Sequence, residues 1–117
     1  IQKNAQKIKK KTAELTIQLK PTVDILKEMG SLKKKKQILV GFALETENER
    51  GNANKKLREK NLDFIVLNSL RDKGAGFGHS TNKISVIGKN NKMINFELKQ
   101  KREVASDILQ LIAAEIK

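Results

Sequence analysis

The chain has 117 residues, enough for one modest core, with 25 Lys and Arg against 13 Asp and Glu and a formal charge of +12. It has no cysteine, which excludes disulfides and thiolate metal sites, and no apolar run near the roughly 20 residues of a membrane span. The charge favours an anionic partner, and the first residues carry no signal-peptide pattern, so the expected compartment is the cytoplasm.

In chain order, Lys7 to Lys11 form a dense basic run. It reads either as a solvated terminus or as a lysine arm that closes over a polyphosphate, where a desolvated ammonium can stabilise charge developing on a phosphoryl oxygen. Glu14 to Leu19 alternates polar with Leu15, Ile17 and Leu19, the pattern of a half-buried strand. Pro21 closes it. Thr22 is placed to cap a short helix running to about Met29 and stopped by Gly30, and Ser31 to Gln37 follow as a Lys-rich loop. Within that loop Lys33 to Lys36 read as solvated charge.

The stretch from Ile38 to Thr46 reads as an apolar strand that passes at once into a helix, the edge where open α/β sheets bind ligands. Thr46 and Glu49 have capping-box spacing, and the helix is expected from about Glu47 to Lys60. Gly51 interrupts that helix at a cost of about 1 kcal/mol relative to alanine. Lys56 and Lys60 lie four apart, so they share a face and either stay solvated or point two ammonium groups at one anion. Phe42 serves either as core bulk or as a stacking surface for a base.

Leu62 to Leu67 reads as a second buried strand ending at Asn68. The loop Gly74-Ala75-Gly76-Phe77-Gly78 has neither G-x-G-x-x-G nor Walker spacing and reads as a shaped loop anchored by Phe77. His79 and Ser80 have no visible acidic orienter, and no metal-ligand spacing occurs. Lys83–Ile87 and Met93–Leu98 alternate as a hairpin turning at Lys89-Asn90-Asn91. From Lys101 an amphipathic helix places Val104, Ile108, Leu111 and Ile112 on one side. The expected architecture is α/β: a partial doubly wound, Rossmann-like sheet with helices on its faces, a late β-hairpin and a C-terminal helix.

Several of these pieces, in one order, closely resemble phosphopantothenate–cysteine ligase. They are Lys7-Ile8-Lys9-Lys10, Leu19-Lys20-Pro21-Thr22-Val23-Asp24-Ile25-Leu26, Val40-Gly41-Phe42-Ala43-Leu44-Glu45-Thr46, Lys56-Leu57-Arg58-Glu59-Lys60-Asn61-Leu62-Asp63, Asn68, Gly76-Phe77-Gly78 and Thr81-Asn82. The resemblance covers nearly the whole chain. It implies a reaction of coenzyme A biosynthesis, in which 4′-phosphopantothenate is activated by CTP as an acyl-cytidylate and captured by L-cysteine. Pyrophosphate and then CMP leave, and Mg2+ assists on the triphosphate.

By resemblance, Lys7 is catalytic and contacts the nucleotide from a K-x-K-K flap; Val23, Asp24, Ile25 and Leu26 hold the nucleotide at a helix start; Phe42 contacts it; and Lys56 and Lys60 bind its phosphates. No residue of the chain is expected to bind the metal directly. The family also has a glycine-rich loop, an asparagine acting on the acyl-nucleotide and an Ala-Asp segment, none of which lies in these residues. Residues 1–117 are therefore expected to be the C-terminal portion of the ligase domain, inactive alone, with a sheet edge open where further strands belong. The complete enzyme is expected to be a homodimer, with FMN involved only where a decarboxylase is fused upstream. Neither nucleic acid nor membrane is an expected partner. The charge alone leaves a small basic nucleic-acid-binding domain as the other reading, to be told apart by its steeper salt dependence.

Overall fold

A computed structural model describes residues 13–71, 73 and 78–116. Its elements are α1 (Ile25–Leu32), β1 (Val40–Glu45), α2 (Glu49–Glu59), β2 (Phe64–Ser69), β3 (Thr81–Asn82), β4 (Ile84–Gly88), β5 (Met93–Asn95), β6 (Lys99–Gln100) and α3 (Lys101–Glu115). Four strands form a mixed sheet in the order β1-β2-β4-β5, and β3 pairs with β6 in a small second sheet. β1 and β2 run parallel and are joined by α2, while β2–β4 and β4–β5 are antiparallel. Strands on a covered sheet must bury both sides, and the apolar residues divide accordingly.

On one side Ala43, Ile65, Leu67 and Ile87 pack with Ala53 and Leu57 of α2, and with Leu39 and Leu62. On the other side Val66, Ile84 and Val86 pack with Val104 of α3, and Ile108 and Leu111 lean on that cluster. The α/β expectation holds, with helices on both faces of a mixed sheet. The hairpin and the C-terminal helix fall where the alternation and the 3.6-residue stripe placed them. Asn91 takes φ +64° in the hairpin turn, and Asn90 Oδ1 accepts from Lys92 N at 3.0 Å.

Several local expectations are corrected. Glu14 to Leu19 is not a strand: Leu15, Ile17 and Leu19 are exposed, and among the described residues no neighbouring strand gives the alternation a face to bury. The cap of α1 is Asp24 rather than Thr22, because the Asp24 carboxylate accepts from Lys27 N at 3.1 Å. Gly30 does not stop α1. It lies inside the helix, where a Cβ would fall 1.8 Å from the Lys60 carbonyl oxygen; the missing side chain lets α1 close on the end of α2. The capping box at Thr46 is not formed either. Asn48 holds the N-cap position of α2 in a left-handed conformation with no side-chain cap, and Glu49 is drawn off to accept from Ser69 Oγ at 2.6 Å. β1 begins at Val40, two residues later than the apolar run.

Lys33 is not a solvated loop residue. Its ammonium lies 3.0 Å from Asp63 Oδ2 with the side chain only 10% exposed, and it also donates to the Asn61 carbonyl at 3.0 Å. Asp63 accepts in addition from Leu39 N at 2.7 Å and lies 3.3 Å from the Lys89 ammonium. One carboxylate thus ties together the segment after α1, the entry to β1 and the β4–β5 turn. Desolvation pushes the Asp63 pKa up, but the Leu39 N–H and the two lysines outweigh it and hold the group below its ordinary value.

Two predictions follow from this packing. Gly30→Ala must displace backbone and should lower stability by roughly 1–3 kcal/mol. Gly51→Ala meets only the tip of the Asn48 side chain and should be neutral or stabilising by up to about 1 kcal/mol. Chemical denaturation of the two variants checks the contrast, and equal losses would contradict it. The second concerns acid. Because the folded-state pKa of Asp63 is depressed, its contribution is complete above the unfolded-state value of about 4 and is lost as pH falls through the lower folded-state value. Asp63→Asn should therefore cost roughly 1–3 kcal/mol at pH 7 and much less near pH 2, measured as unfolding free energy against pH.

Candidate functional site

The parallel register pairs Glu45 with Ser69, so β1 and β2 end together. At such an edge an open α/β sheet offers its ligand crevice. The side chains gathered there are charged and tied. Lys56 of α2 reaches back to Glu45, with Nζ 2.6 Å from Oε1, and Asn52 Nδ2 donates to the other Glu45 oxygen at 3.4 Å and to the Glu47 carbonyl at 3.1 Å. The Glu45 side chain is only 12% exposed, whereas Lys56 is 40% exposed, so the carboxylate is the inner and the ammonium the outer member. Ser69 Oγ, buried, accepts from Arg71 N at 3.1 Å while donating to Glu49.

Lys60 follows α2 as its C-cap, and its ammonium lies 2.9 Å from Asp24 Oδ2. Gly30 rests against the Lys60 backbone, and Asp24 lies six residues earlier, about 9 Å along the helix axis. The Lys60 side chain is therefore extended along α1 toward its first turn. The Lys27 N–H and the Lys60 ammonium together hold Asp24 below the ordinary carboxylate range. Lys56 and Lys60 do not converge on one anion here: each has its own carboxylate.

The remaining expected residues separate. Val23 and Ile25 are exposed at the start of α1, whereas Leu26 packs on the core beside Gly41. Phe42 is not core among the described residues. It sits mid-strand, 69% exposed and opposite Val66 in the register, on the side of β1 that α3 leaves open. Lys7 and the flap motif lie outside the described residues, as do Gly74 to Phe77. Asn68, at the end of β2, has its Oδ1 buried with no hydrogen-bond partner among the described residues. A cleft of about 720 Å³ lined by Lys35, Lys36, Phe64 and Lys89 opens at the other end of the strands and includes none of the expected residues.

The sequence reading missed Glu45, Asn52 and the Ser69–Glu49 bond. The available signal for Glu45 was an acidic residue closing an otherwise apolar strand. No group of three or more His, Cys, Asp or Glu that could hold a metal occurs among the described residues. No helix among them is long and apolar enough to cross a membrane.

A parallel β-α-β unit with antiparallel strands beside it and helices on both faces defines an α/β domain. More particularly, residues 1–116 match the family described as the DNA/pantothenate metabolism flavoprotein C-terminal domain, and the chain belongs to that family. It is 49% identical over 108 residues to the coenzyme A biosynthesis bifunctional protein CoaBC of Bacillus subtilis (strain 168), covering 92% of this chain and 26% of that protein. It is 59% identical over 107 residues to a cysteine/cysteine sulfinic acid decarboxylase from an unknown prokaryotic organism, covering 92% of this chain and 30% of that one. Among solved structures, the crystal structure of the C-terminal domain of a CoaBC protein superposes with a TM-score of 0.64 at 46% identity, over 80% of this chain and 44% of that domain. The chain thus spans between a quarter and a third of these curated relatives.

The geometry carries its own prediction. Asp24 is both the cap of α1 and the partner of Lys60, and its pKa is depressed in the fold. Its contribution is present above about pH 4 and lost as pH falls through the lower folded value. Asp24→Ala should loosen the first turn of α1, seen as faster amide exchange at Lys27 at pH 7. Asp24→Asn, which keeps an acceptor for the Lys27 N–H, should leave that exchange nearly unchanged. Equal acceleration in both variants would contradict the capping assignment.

Proposed function

We propose that this chain is the C-terminal portion of a phosphopantothenate–cysteine ligase acting in coenzyme A biosynthesis. The observation that carries the reading is the pair of lysine ammonium groups, Lys56 and Lys60, held by Glu45 and Asp24 beside the strand edge and the first turn of α1. The reaction has two steps. The carboxylate of 4′-phosphopantothenate attacks the α-phosphate of CTP and pyrophosphate leaves. The amine of L-cysteine then attacks the acyl carbon of the acyl-cytidylate, forming the amide and expelling CMP.

In this reading Lys56 and Lys60 bind the phosphates, whose charge an ammonium offsets most strongly where water is partly excluded. The segment from Val23 to Leu26 at the start of α1 offers backbone N–H groups to the nucleotide, and the Asp24 carboxylate favours its ribose or base over bare phosphate. Phe42 presents an open ring for the base. Lys7 acts at the reacting phosphate. In this reading magnesium enters with the triphosphate as part of the substrate.

The decarboxylase and bifunctional names of relatives support fusion to a decarboxylase, and in this reading FMN is involved only where such a domain is fused. A cytoplasmic homodimer completes the proposal. The rival reading, a basic nucleic-acid-binding domain, predicts affinity that falls steeply with salt; nucleotide binding at a few lysines falls less.

The test uses the complete protein with CTP, Mg2+, 4′-phosphopantothenate and cysteine, reading pyrophosphate release. Lys56→Ala and Lys60→Ala should each raise the nucleotide KM, a loss of roughly 1–3 kcal/mol. Lys7→Ala should lower kcat more than it weakens nucleotide binding. Residues 1–117 alone should show no turnover, because misplacing reacting groups by about 1 Å can cost 10²-fold. Unchanged nucleotide kinetics in both α2 lysine variants would overturn the phosphate assignment, and robust turnover by the isolated chain would overturn the fragment assignment.

A further inference from the structure

Lys56 is a long side chain with four rotatable bonds, and free in solution it would sample many rotamers. Here it is pinned. Glu45, the last residue of β1, takes one of its three donors at 2.6 Å. Glu45 is in turn fixed at both ends: its carbonyl accepts from Leu70 N at 3.2 Å, and its second carboxylate oxygen accepts from Asn52 Nδ2. Asn52 sits one helical turn before Lys56 and also holds the Glu47 carbonyl, so it ties α2 to the segment leaving β1. The order of burial has a consequence. The Glu45 side chain is the more shielded partner and the Lys56 side chain the more open one, and an ammonium bonded once to Glu45 has two further donors.

We infer that Glu45, supported by Asn52, is a positioning residue that holds the Lys56 ammonium ready for a nucleotide phosphate. The inference rests on the reading of Lys56 as a phosphate ligand. Two opposed effects decide its sign. Glu45 fixes the lysine before the nucleotide arrives, so the rotamer entropy is not lost at binding. Its negative charge also repels an incoming phosphate, but from behind the ammonium and over a longer distance. If positioning dominates, removing Glu45 weakens nucleotide binding; if repulsion dominates, removing it strengthens binding.

The experiment is a double-mutant cycle in the complete protein, with the nucleotide KM and kcat read from pyrophosphate release. Glu45→Ala should raise the KM about tenfold, the size of coupling found between contacting charged residues. Glu45→Gln keeps an acceptor for Lys56 without the charge and should recover most of that loss. In a Lys56→Ala background Glu45→Ala should add little. Thermal melting reports folding, and if Glu45→Ala does not fold, Asn52→Ala takes its place, with an expected KM rise of about threefold that again vanishes in the Lys56→Ala background. A KM at or below wild type in Glu45→Ala or its substitute, or full additivity with Lys56→Ala, overturns the positioning role. Failure of the underlying reading looks different, because Lys56→Ala alone would then leave the nucleotide KM unchanged.

Discussion

The in-register parallel pairing of β1 with β2 is the constraint on which the candidate site depends. It brings Glu45 and Ser69 to the same edge, and it obliges the chain to cross over through α2 to reach β2. The crossover helix covers Ile65 and Leu67 with Ala53 and Leu57, and its outer residues return Lys56 and Asn52 toward the end of the strand it has just left. A slip of one residue in that register would turn Phe42 inward and Ala43 outward, and would separate Glu45 from Lys56. Packing and site are therefore set by one arrangement.

A chain with nearly twice as many basic as acidic side chains cannot pair them all, and the fold spends its carboxylates at junctions. Asp63 joins the segment after α1 to the entry of β1 and to the β4–β5 turn. Asp24 caps α1 and holds Lys60; Glu45 ends β1 and holds Lys56; Asp107 of α3 takes Lys99 of β6 at 2.8 Å. Exposed ion pairs contribute little, about 0–1 kcal/mol. The Lys33–Asp63 pair is largely shielded and carries extra hydrogen bonds, so losing one partner leaves a charge that water cannot reach easily. At the same junctions Lys56 and Lys89 keep part of their side chains in solvent.

Small residues set the distances between these parts. Gly30 lets α1 rest on the Lys60 backbone, and Gly41 lies under Leu62 and Leu26, where a Cβ would fall 2.6 Å from Leu62 Cδ1. The resulting closeness lets Lys60 span to Asp24. On the opposite side β1 keeps Phe42 and Leu44 exposed, and among the described residues it pairs only with β2.

Much of this was legible in the residues alone. Apolar runs near Ile38 and Leu62, alternation on both sides of Lys89-Asn90-Asn91, and the stripe from Val104 to Leu111 report which side chains must leave water, a local property that periodicity records. The ordered motifs around Lys7, Asp24, Phe42 and Lys56 carried the family. What the residues alone did not determine was choice among partners. Thr22 and Asp24 can both cap a helix, and Glu49 can cap its own helix or accept from Ser69, twenty residues away. Lys33 can stay in water or pair with Asp63, thirty residues on. The strand-like pattern from Leu15 to Leu19 met no neighbouring strand among the described residues. Such contests are settled by which groups the packed chain brings within reach, and only the tertiary structure supplies that distance. Lys56 and Lys60 were thus visible as residues, while the carboxylates they pair with appeared only in the fold.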